Sequence, residues 1–562
     1  MSGDFPVALI LIIGSLFVPL LGRRARAVLT LLLPVVTFAF LLALPEGVHA
    51  QVEFLGTQLV LMRIDRLSLL FSYVFLLATF LAPIYALHED DRAQQAATML
   101  YAGSALGAVF AGDLLTLFVF LEIAAVSSAI LIWARRTRES FAAGMRYLVI
   151  QLAAGMLLLA GIAAWAAAGN GLDFGHIGLE GPGGWLILLA LGIKCAFPLL
   201  HNWLQDAYPE ATATGTVVLS AFTTKLGIYA LARGFAGTEL LIYVGTLMAA
   251  FPIFYAVIEN DLRRVLAYSM NNQLGFMVVG VGIGSELALN GAVAHAFADI
   301  LFKGLLFMSM GAVLLRAGTV KGSELGGLYK SMPWTTGFCI VGAASISAFP
   351  LFSGFVTKSM IMSAAAGEGY LLVWLTLLFA SAGVFHHAGI KIPSFAFFAH
   401  DSGIRCREAP PSMLIAMGGA AALCIAIGCA PGLFYQLLPY ASDYAPYTPT
   451  HILDQVQLLV FSALAFAVLM RTGIYPPELK SVNLDTDWSY RRLLPAMAAA
   501  LRHGWLQARA ATGAALMPSL AGVCRGIRHV QPGGLLARTW TTGGTALWMM
   551  VLLLVYLLGY LL

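Results

Sequence analysis

Apolar runs follow one another from residue 4 to residue 470, and a last one closes the chain at 541–562. Most approach the roughly 20 residues that a helix needs to cross a bilayer. Inside lipid every backbone N–H and C=O must be satisfied within the protein, which leaves only helices or closed barrels. Runs this long, without alternation, are helical. The expected fold is an all-α polytopic membrane protein. Composition agrees: 60% of residues are hydrophobic and 11% charged, against about a quarter charged in soluble domains.

About sixteen spans are read, at 4–21, 27–44, 67–87, 94–111, 114–133, 141–168, 185–200, 212–232, 240–258, 264–283, 288–315, 334–364, 370–390, 412–431, 452–470 and 541–562. Two of them, 288–315 and 334–364, are long enough to hide a break. Placing alternate loops on opposite sides gives one side about 24 Lys and Arg, including "GRRARA", "RRTR", "DLRR", Lys391 and the whole 471–540 stretch. The other side holds Arg63, Arg66 and Arg233. Basic loops stay in the cytoplasm, so both termini are expected on the outer side. The net charge of +4 is mostly this topology signal. The N-terminal run carries its positive charges after the apolar stretch and lacks a small-x-small site, unlike a cleavable signal peptide. Cys195, Cys339, Cys406, Cys424, Cys429 and Cys524 form no C-x-x-C pair, so neither a cluster nor a disulfide framework is expected.

Charges nevertheless lie within the spans: Glu122, Arg146, Lys194, Lys225, His295, Lys303 and Lys358. A lysine near the bilayer centre costs about 2.5–3.5 kcal/mol. Four therefore cost on the order of 10 kcal/mol, comparable with a whole domain's stability of about 5–15 kcal/mol. Arg146, near a span end, is expected to snorkel to the interface. Lys194, Lys225 and Lys303 lie deeper and are expected to face a protein interior. Glu122 reads as a partner for one of these lysines, and Asp113 as a helix N-cap. His295 and Lys303 are eight residues apart, which turns through about 80° on a helix, so both can face one internal channel. Asp299, between them, reads as a partner for Lys303 or as a further carboxylate of the same file.

Pro198 lacks the N–H that would bond the carbonyl of Lys194, and its ring clashes there. The helix is expected to break beside its buried charge. Irregular backbone survives at membrane depth only inside protein or along a wet cavity. "AFPLLHNW" at 196–203 is echoed by "AFPLFSGF" at 348–355, where Pro350 is followed by Lys358. Paired broken spans of this kind point to inverted repeats with a site at mid-membrane.

At these residues the chain resembles the antiporter-like subunits shared by respiratory complex I (L, M and N types), Mrp-type cation/proton antiporters and membrane-bound hydrogenases. The stretches that carry the resemblance are "DLLTLFVFLEI", "KCAFPLLHNWLQDAYPEA", "LSAFTTKLGIYAL", "DLRRVLAYSMNNQLGFM", "HAFADILFKGLLFMSMGAV" and "SAFPLFSGFVTKSMI", roughly residues 65–365. "HHAGIKIPSFAFFAHDSGIRCREAP" at 386–410 looks most like the Mrp D type. The resemblance implies about fourteen core helices with two inverted five-helix repeats. The division it suggests is 1–93 for the N-terminal helices, 94–232 and 240–390 for the two repeats, and 391–470 for the C-terminal core. A basic interfacial segment at 471–540 and a terminal span at 541–562 follow. The 471–540 segment reads either as a helix lying in the interface or, as in the L-type relatives, as an arm bracing neighbouring subunits. By motif match, Glu122 and Lys194 take the family's acid–lysine pair and Lys225 the next lysine. His295 and Lys303 take the central relay, and Lys358 the ionisable group of the second broken helix, where some members carry glutamate.

The expected function is proton translocation, with cation antiport left open, as one membrane subunit of an Mrp-, complex I- or hydrogenase-like assembly in a bacterial-type inner membrane. A lysine with a reference pKa near 10.4 relays protons at neutral pH only where burial and a movable carboxylate oppose each other. Closing Glu122 on Lys194 would hold a proton there; opening the pair would release it toward Lys225, His295, Lys303 and Lys358. Two alternatives stay open: a structural anchoring subunit with internally paired charges, and a stand-alone transporter of a small solute. No catalytic site, cofactor, metal or nucleic-acid partner is expected. "GVGIG" at 280–284 lies within a span and is no dinucleotide fingerprint.

Overall fold

A computed structural model of the chain describes residues 2–3, 5–54, 56–476, 479, 483, 485–530 and 541–561. The chain forms two units, Met1–Thr486 and Asp487–Leu562. The first begins with β1 (Ser2–Gly3), α1 (Ala8–Phe17), α2 (Arg23–Leu42), the strands β2 (Gly47–Phe54) and β3 (Thr57–Ile64), and α3 (Arg66–Ala86). Next come α4 (Arg92–Phe110), α5 (Leu114–Trp133), α6 (Arg138–Ala167), α7 (Gly181–Lys194), α8 (Asn202–Ala207), α9 (Ala213–Ala221) and α10 (Thr223–Gly234). They are followed by α11 (Glu239–Ala250), α12 (Pro252–Ile258), α13 (Leu262–Ile283), α14 (Glu286–Ala317), α15 (Pro333–Ile346), α16 (Ser353–Gly367) and α17 (Leu371–Val384). A π-helical stretch, Phe385–Lys391, prolongs α17. The unit ends with α18 (Pro411–Cys429), α19 (Pro431–Tyr435) and α20 (Pro449–Thr472). Among the described residues, 11 helical stretches are long and apolar enough to cross a membrane by length and composition. The protein is a multi-pass membrane protein with the all-α fold read from its sequence.

Local chemistry sets the helix ends. Asp65, Asp91, Asp113, Thr137, Thr212 and Asp261 each accept a first-turn N–H, which satisfies one of the four donors a helix start leaves free. Asp113 is the N-cap expected of it, accepting from Thr116 N at 2.7 Å. It also accepts from Val60 N at 2.7 Å, which ties α5 to β3. The hairpin β2–β3 of the antiparallel sheet β1–β2–β3 occupies a stretch read as a loop between spans. Its alternating sequence around Gly56 (φ 76°) is a hairpin signal. Asp65 binds Arg233 through both carboxylate oxygens, at 2.9 and 2.8 Å, and so fastens the end of α10 to the start of α3.

Three expectations are corrected here. The 288–315 span hides no break, because α14 runs unbroken for 32 residues. Arg146 does not snorkel; its guanidinium grips the buried Asp206 carboxylate at 2.6 and 2.8 Å. Lys391, counted among loop bases, is fully buried. Its Nζ donates to the carbonyls of Ala256, Val257 and Glu259 at 3.2, 2.7 and 2.6 Å, capping the end of α12 as a cation does at a helix C-terminus.

The second unit consists of α21 (Leu494–Val530) and α22 (Thr542–Leu561), entered through a π-helical turn at Ser489–Leu493. Within it the Arg509 guanidinium lies 5.3 Å from the Trp505 ring centroid, and Arg491 pairs with Asp487 at 2.9 Å. Residues 477–478, 480–482, 484 and 531–540 of the expected basic segment, and Leu562 of the terminal span, lie outside the described residues.

Candidate functional site

The two "AFPL" stretches have one backbone geometry. Ala196 and Leu199 have φ of 59° and 69°; Ala348 and Leu351 have φ of 56° and 75°. Among the described residues the sole other non-glycine at positive φ is Arg136. At the first break Ala196 N donates to Ile193 O at 3.1 Å and Phe197 N to Gly192 O at 2.9 Å. At the second, Ala348 N donates to Ser345 O at 3.1 Å and Phe349 N to Ala344 O at 3.0 Å. This pair of bonds is a Schellman termination, with alanine where glycine is usual. The helices therefore end at Lys194 and Ile346, before the proline can clash. Pro198 and Pro350 lie in the non-helical links, where they prevent resumption instead of kinking a continuous helix, a revision of the mechanism expected from i−4 spacing. Left-handed alanine and leucine cost about 1–3 kcal/mol each, and such strain collects at functional sites.

Lys194 is the last residue of α7 and 2% exposed. Its Nζ donates to Gln151 Oε1 at 3.4 Å. Glu122, on α5, is its charged neighbour, but the two make no direct ion pair. One carboxylate oxygen, Oε1, is buried without a hydrogen-bond partner. Gly155 of α6 lies so close to that carboxylate that a Cβ would overlap it. The acid–lysine pair is open, with its carboxylate wedged against a glycine.

Lys225 lies just beyond the interruption between α9 and α10. Its Nζ pairs with Asp299 Oδ2 at 2.6 Å, both side chains fully buried, and donates to Ser220 O at 3.1 Å. Asp299 is thus the ion-pair partner of Lys225, with Lys303 and Lys358 also among its charged neighbours. Lys303 Nζ instead donates to Ser269 Oγ on α13 at 2.8 Å. His295 Nε2 lies 3.0 Å from Gln273 Oε1 and Nδ1 lies 2.9 Å from Thr357 Oγ1. The amide oxygen only accepts, so Nε2 carries a proton. The Thr357 hydroxyl also reaches Ser353 O at 3.1 Å. Pointing there, it leaves its oxygen to accept from a charged imidazolium; pointing at Nδ1, it serves the neutral ring. His295, Asp299 and Lys303 thus use one long helix to face α13, α16 and α10.

Lys358, next to Thr357, donates to Ile346 O at 3.1 Å, a carbonyl at the end of α15 where the break leaves acceptors free. Its Nζ is 4.9 Å from the Phe276 ring centroid. It also lines a cavity of about 260 Å³ with Ser359, Ser363, His451, Asp454 and Gln455. Phe355, Met362, Trp374 and Leu378 make up most of the remaining wall, so the polar groups are gathered on part of it. The structure brings Lys225, His295, Lys303 and Lys358 within electrostatic reach of one another. Glu122 and Lys194 form a separate pair. Sequence reasoning missed Gln151, Ser269, Gln273 and Thr357, whose short polar side chains in apolar helices carry no charge to draw attention. It also missed His387, fully buried, with the Gly383 backbone, Lys303, His386 and Lys391 as neighbours.

Residues 111–385 match the family model described as NADH:quinone oxidoreductase/Mrp antiporter, TM. Component B of hydrogenase-4 from Escherichia coli is 25% identical over 515 residues, covering 82% of this chain and 76% of that protein. The D component of the Na(+)/H(+) antiporter of Alkalihalophilus pseudofirmus is 31% identical over 309 residues, covering 50% of this chain and 62% of that protein. Among solved structures, a chain of the membrane-bound sulfane sulfur reductase, an archaeal respiratory membrane complex, superposes with a TM-score of 0.70 at 22% identity. That match covers 98% of this chain and 99% of the other, and shows the fold.

Proposed function

Because the chain belongs to the family of antiporter-like membrane subunits, we propose that it is a proton-translocating subunit of a multisubunit membrane complex. Protons pass through Glu122, Lys194, Lys225, His295, Lys303 and Lys358. The observation that carries this reading is the set of protonatable groups on α10, α14 and α16, fully buried or nearly so, with Lys303 and His295 each held by hydroxyl or amide side chains and Lys358 lining the cavity. A buried ammonium without a role would be a standing cost.

The two carboxylates set the switch. Asp299 pairs with Lys225 while Glu122 stands off from Lys194. Movement of Glu122 onto Lys194 captures a proton there, and parting of Lys225 from Asp299 frees one for Lys303 and His295. The Thr357 hydroxyl accommodates either state of the imidazole, and Lys358 delivers the proton to the cavity. The chain lies in a bacterial-type cytoplasmic membrane with both termini outside, supported by the basic-loop asymmetry.

The Lys225–Asp299 ion pair favours a second reading, a structural anchor whose charges only pair internally. One experiment separates the two. The assembled complex carrying Lys194→Ala or Glu122→Gln is reconstituted in liposomes, with assembly confirmed on a native gel. The relay requires both variants to lose proton translocation; full pumping by both establishes the anchor.

A further inference from the structure

Helix α2 opens on Arg23, Arg24 and Arg26, with no acidic residue in its first turn. Cations at the positive end of a helix dipole are unfavourable unless an anion answers them. Arg26 is buried and answered within the chain. Its guanidinium pairs with Asp90, and its Nε donates to Gln95 Oε1 at 2.7 Å. The other two are exposed. Among the described residues Arg23 reaches only the His88 carbonyl, at 3.4 Å, and Arg24 makes no hydrogen bond or ion pair.

All three arginines line a cavity of about 300 Å³, walled also by the end of α3, the start of α4 and Thr214 and Val218 of α9. Glu89 lines it too, and its carboxylate already accepts from Thr214 Oγ1 at 2.7 Å and Gln94 Nε2 at 3.2 Å. Setting Arg26 against Asp90 and one arginine against Glu89 leaves one guanidinium without a counter-charge.

Farther along the same two helices lies a second cavity, of about 570 Å³, apolar throughout except for the Tyr73 hydroxyl. On α2, Ala27 and Thr30 of the first cavity and Pro34 and Phe38 of the second are spaced three or four apart, as are Tyr73, Leu77, Phe80 and Pro83 on α3. Such spacing puts each set on one helix face, so a single α2–α3 groove carries the basic cavity at one end and the apolar one at the other. Val35 and Phe38 are exposed along it. From Arg24 to Phe38 the helix rises about 21 Å. That is the depth of one leaflet with its headgroup layer, half of about 40–45 Å.

We propose that the α2–α3 groove seats one anionic glycerophospholipid, its phosphate on Arg23 and Arg24 and an acyl chain along Pro34, Phe38, Leu77 and Phe80. The guanidinium fork matches the paired oxygens of a phosphate, and basic pockets between membrane helices suit anionic headgroups. A zwitterionic lipid brings its own cation and leaves the spare guanidinium unanswered. A free phosphate leaves the apolar length of the groove empty. None of these residues belongs to the proton relay, so the lipid site stands apart from it.

The test uses the assembled complex in phosphatidylcholine nanodiscs doped with a phosphatidylglycerol that carries a diazirine on its acyl chain. After illumination, mass spectrometry is expected to find the adduct on peptides covering 27–42 or 73–87. The same probe with a choline headgroup is expected to label them far less, and inorganic phosphate at matched ionic strength is expected not to compete. Arg23→Gln/Arg24→Gln is expected to cut labelling on the order of tenfold, the ratio that loss of a hydrogen bond to a charged group implies. If the double variant fails to assemble, Arg24→Gln alone, which breaks no hydrogen bond or ion pair of the described residues, gives the same reading. Equal labelling by the choline probe, unchanged labelling in the variants, or competition by inorganic phosphate overturns the lipid site. So do adducts that fall on a neighbouring subunit and spare both peptides.

Discussion

Replacing Asp299 with asparagine removes the counter-ion of Lys225 while keeping nearly the same volume. At the observed 2.6 Å and an effective dielectric constant of about 20, the lost attraction is about 6 kcal/mol. Asparagine recovers part of it through a neutral hydrogen bond, and breaking a buried pair from one side typically destabilises by about 3–5 kcal/mol. That is a large share of a membrane unit's margin, so Asp299→Asn is expected to lower the unfolding free energy of the complex by about 3–5 kcal/mol and to abolish pumping. The double variant Asp299→Asn/Lys225→Met removes both charges, and such replacements are often neutral in stability. It is expected to recover most of the stability and none of the pumping. The assay pairs denaturant titration of the purified complex with proton uptake in liposomes. Wild-type stability in Asp299→Asn would refute the ion pair. Full pumping in the double variant would show that the pair serves structure alone.

Three further outcomes follow from the same geometry. Gly155→Ala places a methyl where the Glu122 carboxylate lies, and is expected to displace it and cut pumping at least about tenfold, about 1.4 kcal/mol, with normal assembly on a native gel. Ala196→Gly relieves a left-handed alanine and is expected to stabilise by up to about 1 kcal/mol, whereas Ala196→Val destabilises by about 1–2 kcal/mol or more; thermal unfolding reads both. Burial raises the Asp485 carboxyl, but His201, the Thr486 N–H and the Tyr268 hydroxyl outweigh it and hold the group below its ordinary range. A depressed carboxylate stabilises above its unfolded pKa and loses that contribution as pH falls through its folded value. The stability gap between wild type and Asp485→Asn is therefore expected to close as pH falls below about 3.9.

The spans were legible because lipid demands long apolar helices, and the observed ends of α5, α13 and α14 lie within two residues of those read. The two breaks were legible through the repeated "AFPL", yet their cause was not. A Schellman ending depends on the φ of Ala196 and Ala348, which no composition rule places at alanine. The ion pair of Asp299 with Lys225 was not legible because Lys225 comes from a distant part of the chain, whereas Lys303 lies on the same helix. Arg146 was misread for the same reason: its partner Asp206 is supplied by the second half of a broken helix. Lys391 looked like a loop base because α17 continues as a π-helix past the point where apolar periodicity fades. The hairpin at 47–64 was overlooked because an apolar stretch between spans was judged by length alone.

The relay requires that the buried bases on α10, α14 and α16 be joined by water into one conducting file. An experimental map of the assembled complex, at a resolution that places individual waters, tests it directly. Ordered waters are expected between Lys225, Lys303, His295 and Lys358, continuing into the cavity lined by Ser359, Ser363 and Asp454. Apolar side chains packed dry between those amines would contradict it.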